Sequence, residues 1–267
     1  MYFPAEIKLW FWVAASVTMD TLMDQYRFPN ASYIDIHMFD RLFSSSGNNT
    51  SDSTDAGARS LREQMVEEQI KKRGISDERI LEAMRQIPRH KFVPEADLER
   101  AYDDRPHPIG CNQTISQPYI VALMTSSLDL NEDHSVLEIG TGSGYQAAIL
   151  AYIADQVYTV ERHQQLADQA KEVLYELGYE NVMIRVGDGT KGWPEKQPFD
   201  RIIVTAGGPD VPDSLVDQLR DSGGKMVIPV GERRSQRLTR LTKQGGDVKR
   251  EELGSCVFVQ LVGEEGW

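Results

Sequence analysis

The stretch Val136-Leu137-Glu138-Ile139-Gly140-Thr141-Gly142-Ser143-Gly144-Tyr145-Gln146-Ala147-Ala148-Ile149-Leu150 narrows the fold more than any other part of the chain. An apolar run with the character of a buried strand breaks into three alternating glycines and passes at once into a helix-compatible segment. A strand feeding a glycine turn and then a helix N-terminus brings backbone N–H groups close to a ligand. Glycine is needed there because a side chain would block the approach or clash at positive φ.

From this turn onward the pattern alternates strand and helix, which predicts a parallel sheet covered on both faces. Strands are expected at Ser135–Ile139, 156–160, Val182–Val186, 200–205 and 225–229, with helices at Tyr145–Ile153, Gln164–Glu176 and 212–220. Gly178 is placed to end the second helix, and Gly223-Gly224 follows the third. Past Gly231 the crossovers stop. Residues 238–242 and 257–261, joined by Lys243-Gln244-Gly245-Gly246-Asp247, read as an antiparallel hairpin. The expected fold is therefore α/β, doubly wound and mostly parallel, with a C-terminal antiparallel hairpin and N-terminal helices.

Upstream, Leu61, Met65, Val66 and Ile70 recur at helical spacing, and Gly74 can end that helix. Ser76 reads as the next N-cap, with Ile75 and Ile80 as a hydrophobic staple, and Pro88 closes the second helix. Residues 101–119 form a long polar loop broken by prolines and glycine. Loops of that length are usually functional or disordered, and Tyr102, Ile109, Ile115 and Tyr119 argue for a docked, ordered one. Pro118 is well placed at the first position of a following helix.

Residues 1–57 differ from the rest and read as an N-terminal extension, disordered or preceding the true start, for which Met38 is one alternative; residues 58–267 read as one domain. The polar tract Ser44 to Asp55 has nothing to bury and reads as a disordered linker. The apolar segment Leu9 to Ala15 is far shorter than the roughly 18–20 residues of a membrane span, so no stable membrane insertion is expected. Its length suits a signal-peptide core, but Glu6 offsets Lys8 and no small-x-small site follows outside the apolar run. The expected location is cytoplasmic, with export the alternative if that segment is a signal peptide.

The net charge of −12 argues against broad nucleic-acid binding, and no nucleic-acid partner is expected. Arg233, Arg234, Arg237 and Arg240 form a local basic cluster, either a solvated strand face or an attractor of anionic peptide segments. Cys111 and Cys256 fit neither a metal-ligand spacing nor a disulfide framework. No metal is expected.

A glycine-rich strand-to-helix turn alone fits dinucleotide, flavin and nucleoside ligands. Here Glu138 stands two residues before Gly140, where a pyrophosphate binder gains nothing from negative charge, and the G-x-G-x-x-G order fails after Gly144. A cationic ligand without phosphate fits better, and S-adenosyl-L-methionine, with its ammonium and sulfonium, is one. Glu161 at the end of the second strand can accept both ribose hydroxyls; the alternative is a solvated carboxylate. Asp188 and Gly189 at the end of the third can serve adenine, or form a plain Asp-Gly turn.

From Arg59 to Trp267 the chain resembles the protein-L-isoaspartate (D-aspartate) O-methyltransferase family. The most specific element is Ala101-Tyr102-x-Asp104-x-Pro106, continuing through Pro108-Ile109-Gly110 to Gln113-Thr114-Ile115-Ser116-Gln117-Pro118. Gly187-Asp188-Gly189, Pro198-Phe199-Asp200, Ile228-Pro229-Val230-Gly231 and the closing Gly266-Trp267 also match, while His107 and Cys111-Asn112 depart from or vary within the pattern. The resemblance implies a seven-stranded, Rossmann-like class I methyltransferase sheet with its last two strands exchanged. It implies methyl transfer from S-adenosyl-L-methionine to the free carboxylate of L-isoaspartyl residues in damaged proteins and peptides, by a chain expected to act as a monomer. It carries Ser116 as the active-site serine, and Glu138, Gly140, Thr141, Gly142, Ser143, Gly144, Glu161, Asp188 and Gly189 as donor-binding residues.

An acceptor carboxylate is already ionised near pH 7 and is a nucleophile without a general base. Rate should come from alignment and exclusion of water. Ser116 is expected to orient the carboxylate, with Thr114 and Ile115 backbone groups holding peptide and donor; a turn or cap hydroxyl beside Pro118 is the alternative. Asp104 either shapes the loop or contacts the substrate backbone. His107 reads as a loop residue, since this chemistry needs no acid or base. Two rival readings are a methyltransferase with a small-molecule or RNA acceptor, and a binding module that kept the fold without turnover.

Overall fold

The structure, a computed structural model, describes residues 50–93 and 98–267. The apolar segment around residues 9–15, the alternative start at Met38 and residues 44–49 of the polar tract lie outside the described residues.

Helix α1 spans Thr50–Gln64, so residues 50–55 of the tract expected to be a linker are helical. The helix widens into a π-helical turn, Met65–Ile70, tightens into a 3₁₀ turn, Lys71–Arg73, and ends at Gly74 with φ 95°. Helix α2, Glu78–Gln86, is capped by Asp77, whose carboxylate accepts from the Arg79 amide, and not by Ser76. The cap therefore lies one residue later than the sequence suggests. A 3₁₀ turn, Arg89–Phe92, and the short α3, Leu98–Ala101, lead into the loop.

That loop contains a β-ribbon. Strands β1, His107–Gly110, and β2, Gln113–Ile115, pair antiparallel around Cys111 and Asn112, whose φ values of 49° and 57° are those of a type I′ turn. Cysteine is an unusual occupant of left-handed backbone, so the turn signal was weak. Helix α4, Pro118–Leu128, starts with its proline in the first turn.

The main sheet is built from β3, Ser135–Ile139; β4, Gln156–Glu161; β5, Val182–Val186; β6, Arg201–Val204; β7, Ser222–Glu232; β8, Ser235–Gln244; and β9, Asp247–Cys256. Its order is β5-β4-β3-β6-β7-β8-β9, parallel through β7 and antiparallel after it. The last three strands follow one another in sequence order, the exchanged arrangement that the resemblance implies. The hairpin is real, but its second strand is Asp247–Cys256 and not residues 257–261. Strand β9 is a charged edge strand, largely exposed along its length, and edge strands carry charge to deter pairing with other chains. Residues beyond β9 instead return beside Gly207, through a parallel bridge from Gln260.

Helices α5, Tyr145–Ile153, and α6, Gln164–Glu176, follow β3 and β4 as expected, and Gly178 ends α6 at φ 78°. Helix α7 is shorter than read, Asp213–Gln218, and Gly223-Gly224 sits at an irregularity in β7 rather than at the helix end. Apolar residues fill both faces of the sheet. One face packs Val136, Val157, Ile203 and Val227 with α2, α4 and α5; the other packs Leu137, Ile139, Val160, Ile202 and Met226 with Leu215 and Leu219 around α7. The alternation of neighbours along β3 is the period-two signature of a sheet buried on both sides.

Candidate active site

The glycine turn lies at the carboxyl end of β3, between the ends of β4 and β6. Gly140, Gly142 and Gly144 all take positive φ, at 94°, 54° and 90°. The Gly140 amide donates to Val160 O at 2.8 Å, and the Thr205 amide donates to Ile139 O at 2.9 Å, so both neighbouring strands hold the turn. A Cβ on Gly140 would overlap Thr205 Oγ1, and one on Gly189 would overlap Ile139 Cγ2. These are close backbone approaches that only glycine permits.

Beneath the turn runs a buried hydrogen-bond chain. Thr159 Oγ1 donates to Glu138 Oε2 at 2.6 Å, leaving Thr141 Oγ1 to donate to Thr159 Oγ1, also at 2.6 Å. Glu138 is fully buried and its Oε1 has no partner among the described residues. Burial pushes its pKa up to about 8, against the Thr159 hydrogen bond, which lowers it; the nearby Glu161 charge raises it further. Glu138 lines none of the clefts described below.

Glu161 ends β4 and is only 4% exposed. Its Oε2 accepts from the Gly142 amide and its Oε1 from the His163 amide, both at 2.9 Å. The carboxylate is thereby fixed in the lining of an open cleft that it shares with Gly140, Gly142, Gly189, Arg162, Thr205 and residues 259–262. Asp188 caps the short turn that follows it. Its Oδ1 accepts from the Thr190 amide and hydroxyl, and its Oδ2 accepts from the Glu264 amide at 2.8 Å. Desolvation opposes the shift, but those hydrogen bonds and Lys191 hold the Asp188 carboxyl below its ordinary range. Its carboxylate thus ties the C-terminal segment to the sheet, while Gly189 lines the cleft.

A second cleft adjoins the first, lined by Thr114, Ile115, Ser116, Thr141, Ser143, Tyr145 and Gln146. An outer groove follows, lined by Arg73, Pro106, Ser116, Tyr119, Ile120 and residues 253–259. All three share Thr114 and Thr205, and Ser116 belongs to the second cleft and the groove together. The half-buried Ser116 therefore stands on the wall between inner cleft and outer groove. Asp104 is committed to the loop itself: Oδ2 accepts from Arg73 Nη1 at 2.6 Å and Oδ1 from the Tyr119 amide at 3.1 Å. His107 is buried in β1; burial first, then Arg89 and Arg105, lower its pKa.

Several lining residues escaped the sequence reading. Thr205 and Ala206 could have been found, since ligands of open α/β sheets bind beyond the strands' carboxyl ends and these residues follow β6. Residues 259–262 were hidden by their assignment to a strand. Arg89 and Arg73, the side chains that brace the Ser116 loop, carried no local signal. Of the basic cluster, Arg237 pairs with Glu252, Arg240 pairs with Glu251, and Arg233 lies over the Trp267 ring, as on a balanced strand face.

The family model for protein-L-isoaspartate(D-aspartate) O-methyltransferase matches residues 59–266. A protein-L-isoaspartate O-methyltransferase of Geobacter metallireducens is 58% identical over 207 residues, which cover 77% of this chain and 95% of that protein. One from Syntrophus aciditrophicus is 57% identical over 209 residues, with 77% and 95% covered. Among solved structures, a protein-L-isoaspartate O-methyltransferase superposes with a TM-score of 0.70 at 32% identity, covering 77% of this chain and 67% of that one. A Plasmodium falciparum chain of the same assigned activity, solved with S-adenosyl-L-homocysteine, gives 0.67 at 28% identity, covering 75% and 98%.

Proposed function

The chain belongs to the protein-L-isoaspartate (D-aspartate) O-methyltransferase family, and from that premise we propose how its residues divide the work. It methylates the free carboxylate of L-isoaspartyl residues in damaged proteins, using S-adenosyl-L-methionine, and so initiates their repair. When bound, the donor supplies an electrophilic methyl group on a sulfonium.

The residues of the first cleft suit that donor. Bare backbone at Gly140 and Gly189 and a fixed carboxylate at Glu161 suit a nucleoside that carries positive charge. In our reading Glu161 takes the ribose hydroxyls, Gly140, Gly142, Ser143 and Gly144 offer the turn, and Glu138 acts through Thr159 and Thr141. Asp188 contributes by holding the C-terminal segment, whose residues 260–262 close the cleft.

On the acceptor side, Ser116 orients the isoaspartyl carboxylate by donating a hydrogen bond, and Thr114 and Ile115 border the same passage. The acceptor is an anion at neutral pH, so no residue needs to remove a proton. Charge diminishes as carboxylate meets sulfonium, and what the protein must supply is alignment and a dry passage. The observation that carries this reading is Ser116 on the wall shared by the inner cleft and the outer groove. The groove admits a peptide chain from outside while Ser116 faces the donor from within.

Labelled methyl transfer to paired peptides, one isoaspartyl and one aspartyl, tests the assignment. Label is expected only on the isoaspartyl peptide; equal labelling points to another acceptor, and donor binding without labelling points to a module without turnover. We further propose that residues 58–267 form the catalytic domain, a boundary supported by the family match beginning at residue 59. The chain is proposed to work as a cytoplasmic monomer. Among the described residues no helix is long and apolar enough to cross a membrane, and both cysteines are free. A sedimentation mass near 30.1 kDa is expected; twice that value contradicts the monomer.

A further inference from the structure

Arg89 opens the 3₁₀ turn behind the acceptor loop and is fully buried. Its Nε–H donates to Ala101 O at 2.9 Å and its Nη2–H donates to Ser116 O at 2.8 Å. The guanidinium carbon lies 4.8 Å from the centroid of the Tyr145 ring, and Phe92 meets the same ring edge-on at 5.5 Å. Tyr145 is the first residue of α5, directly after Gly144 of the donor turn. One planar fork therefore touches the end of α3, the peptide of the acceptor-side serine and the helix that closes the donor turn.

Stability alone is a poor reason for this arrangement. Burying a guanidinium costs several kcal/mol before its bonds offset the loss. An apolar side chain of similar volume would fill the space without that cost. Arg89 also lines none of the three clefts, so it does not touch either reactant. What it offers is rigidity. The planar guanidinium loses less freedom per hydrogen bond than a lysine would, and its fork fixes two carbonyls at once.

We propose that Arg89 is a positioning residue for methyl transfer, fixing Ser116 relative to the donor turn by tying the Ser116 carbonyl to the Tyr145 ring. The inference rests on the reading of Ser116 as the residue that orients the acceptor. In-line attack tolerates little misalignment, and a displacement of about 1 Å can cost roughly 100-fold in rate. Arg89 acts at Ser116 and behind the turn, so its loss lowers the rate of transfer and leaves donor affinity intact.

The test compares Arg89→Lys, Ser116→Ala and the double variant, reading kcat, peptide KM and the affinity for S-adenosyl-L-homocysteine by calorimetry. Lysine keeps the charge but loses the fork, so Arg89→Lys is expected to lower kcat about 10- to 30-fold. Product affinity should stay within about twofold, and the double variant should be no more than about twofold slower than Ser116→Ala. A merely structural role would weaken product binding in step with kcat, or multiply the two rate losses; either outcome overturns the proposal. Arg89→Lys at the wild-type rate beside an impaired Ser116→Ala overturns it too and leaves the Ser116 reading standing. A wild-type rate for Ser116→Ala removes the Ser116 reading itself. If Arg89→Lys does not fold, Arg89→Gln, a neutral and shorter side chain that still carries a donor but lacks the fork, takes its place. The same kcat loss at unchanged product affinity is expected, and an unchanged kcat overturns the proposal.

Discussion

The two sides of the site are held in different ways. The donor turn is braced by its own sheet: Thr205, just after β6, donates to Gly140 O, and Thr159 of β4 links Thr141 of the turn to Glu138 of β3. The acceptor loop, apart from its ribbon, is braced by arginines from the N-terminal helices. Arg73 reaches Asp104 and stacks on the Tyr119 ring at 3.3 Å, and Arg89 holds the Ser116 carbonyl. A turn that must grip one unchanging donor can afford to be part of the core. A loop that must admit many protein sequences is held by side chains of other elements, and one of them, Arg73, itself lines the groove.

Breaking the donor side should give the largest effect. Gly140→Ala places a side chain at φ 94° and against Thr205 Oγ1. Strain of that kind costs about 2–3 kcal/mol, so affinity for S-adenosyl-L-homocysteine should fall roughly 30- to 100-fold by calorimetry. Isoaspartyl peptide binding should hold, and a loss shared equally by both ligands would erase the distinction.

Glu138→Gln sharpens the comparison through pH. In the folded, ligand-free protein the Glu138 carboxyl titrates at about 8, against the ordinary 4.5. Between these values the unfolded chain has released the proton and the folded protein still holds it, so Glu138 makes stability fall as pH rises and level off above 8. Glutamine cannot ionise and still accepts from Thr159. Urea unfolding of the apo protein should show the variant gaining about 3–4 kcal/mol on the wild type from pH 5 to pH 8. Parallel profiles would place the charge outside the core.

The smallest effect belongs to the acceptor side's outer brace. Arg73 and Asp104 are partly exposed, with side chains 44% and 26% accessible, and such pairs contribute less than about 1 kcal/mol. Arg73→Ala should leave unfolding midpoints nearly unchanged and raise peptide KM by roughly two- to fivefold, with kcat and donor affinity steady. A large loss of stability would make the pair a core element.

The same contrast explains what could be read from the chain. The donor turn was legible because its determinants are contiguous: apolar strand, Gly140-x-Gly142-x-Gly144, then helix. The acceptor ribbon was not, because its left-handed turn is occupied by Cys111 and Asn112 where a glycine would have announced it. Strand β9 was missed for an opposite reason. Its Lys249-Arg250-Glu251-Glu252 run lacks the apolar alternation of a half-buried strand, since an exposed edge has no buried face to encode. The apolar residues just beyond it, Val257 to Leu261, took the assignment in its place. Arg89 carried no signal, because nothing in Pro88-Arg89-His90 foretells the carbonyls of Ala101 and Ser116 that it meets across the fold.

The division of labour rests on Ser116, and its most direct test is the rate of labelled methyl transfer to an isoaspartyl peptide by Ser116→Ala across a range of donor concentrations. The maximal rate is expected to fall about 100-fold with the donor half-saturation point unmoved. An undiminished rate, or a half-saturation point that shifts with it, would contradict the account.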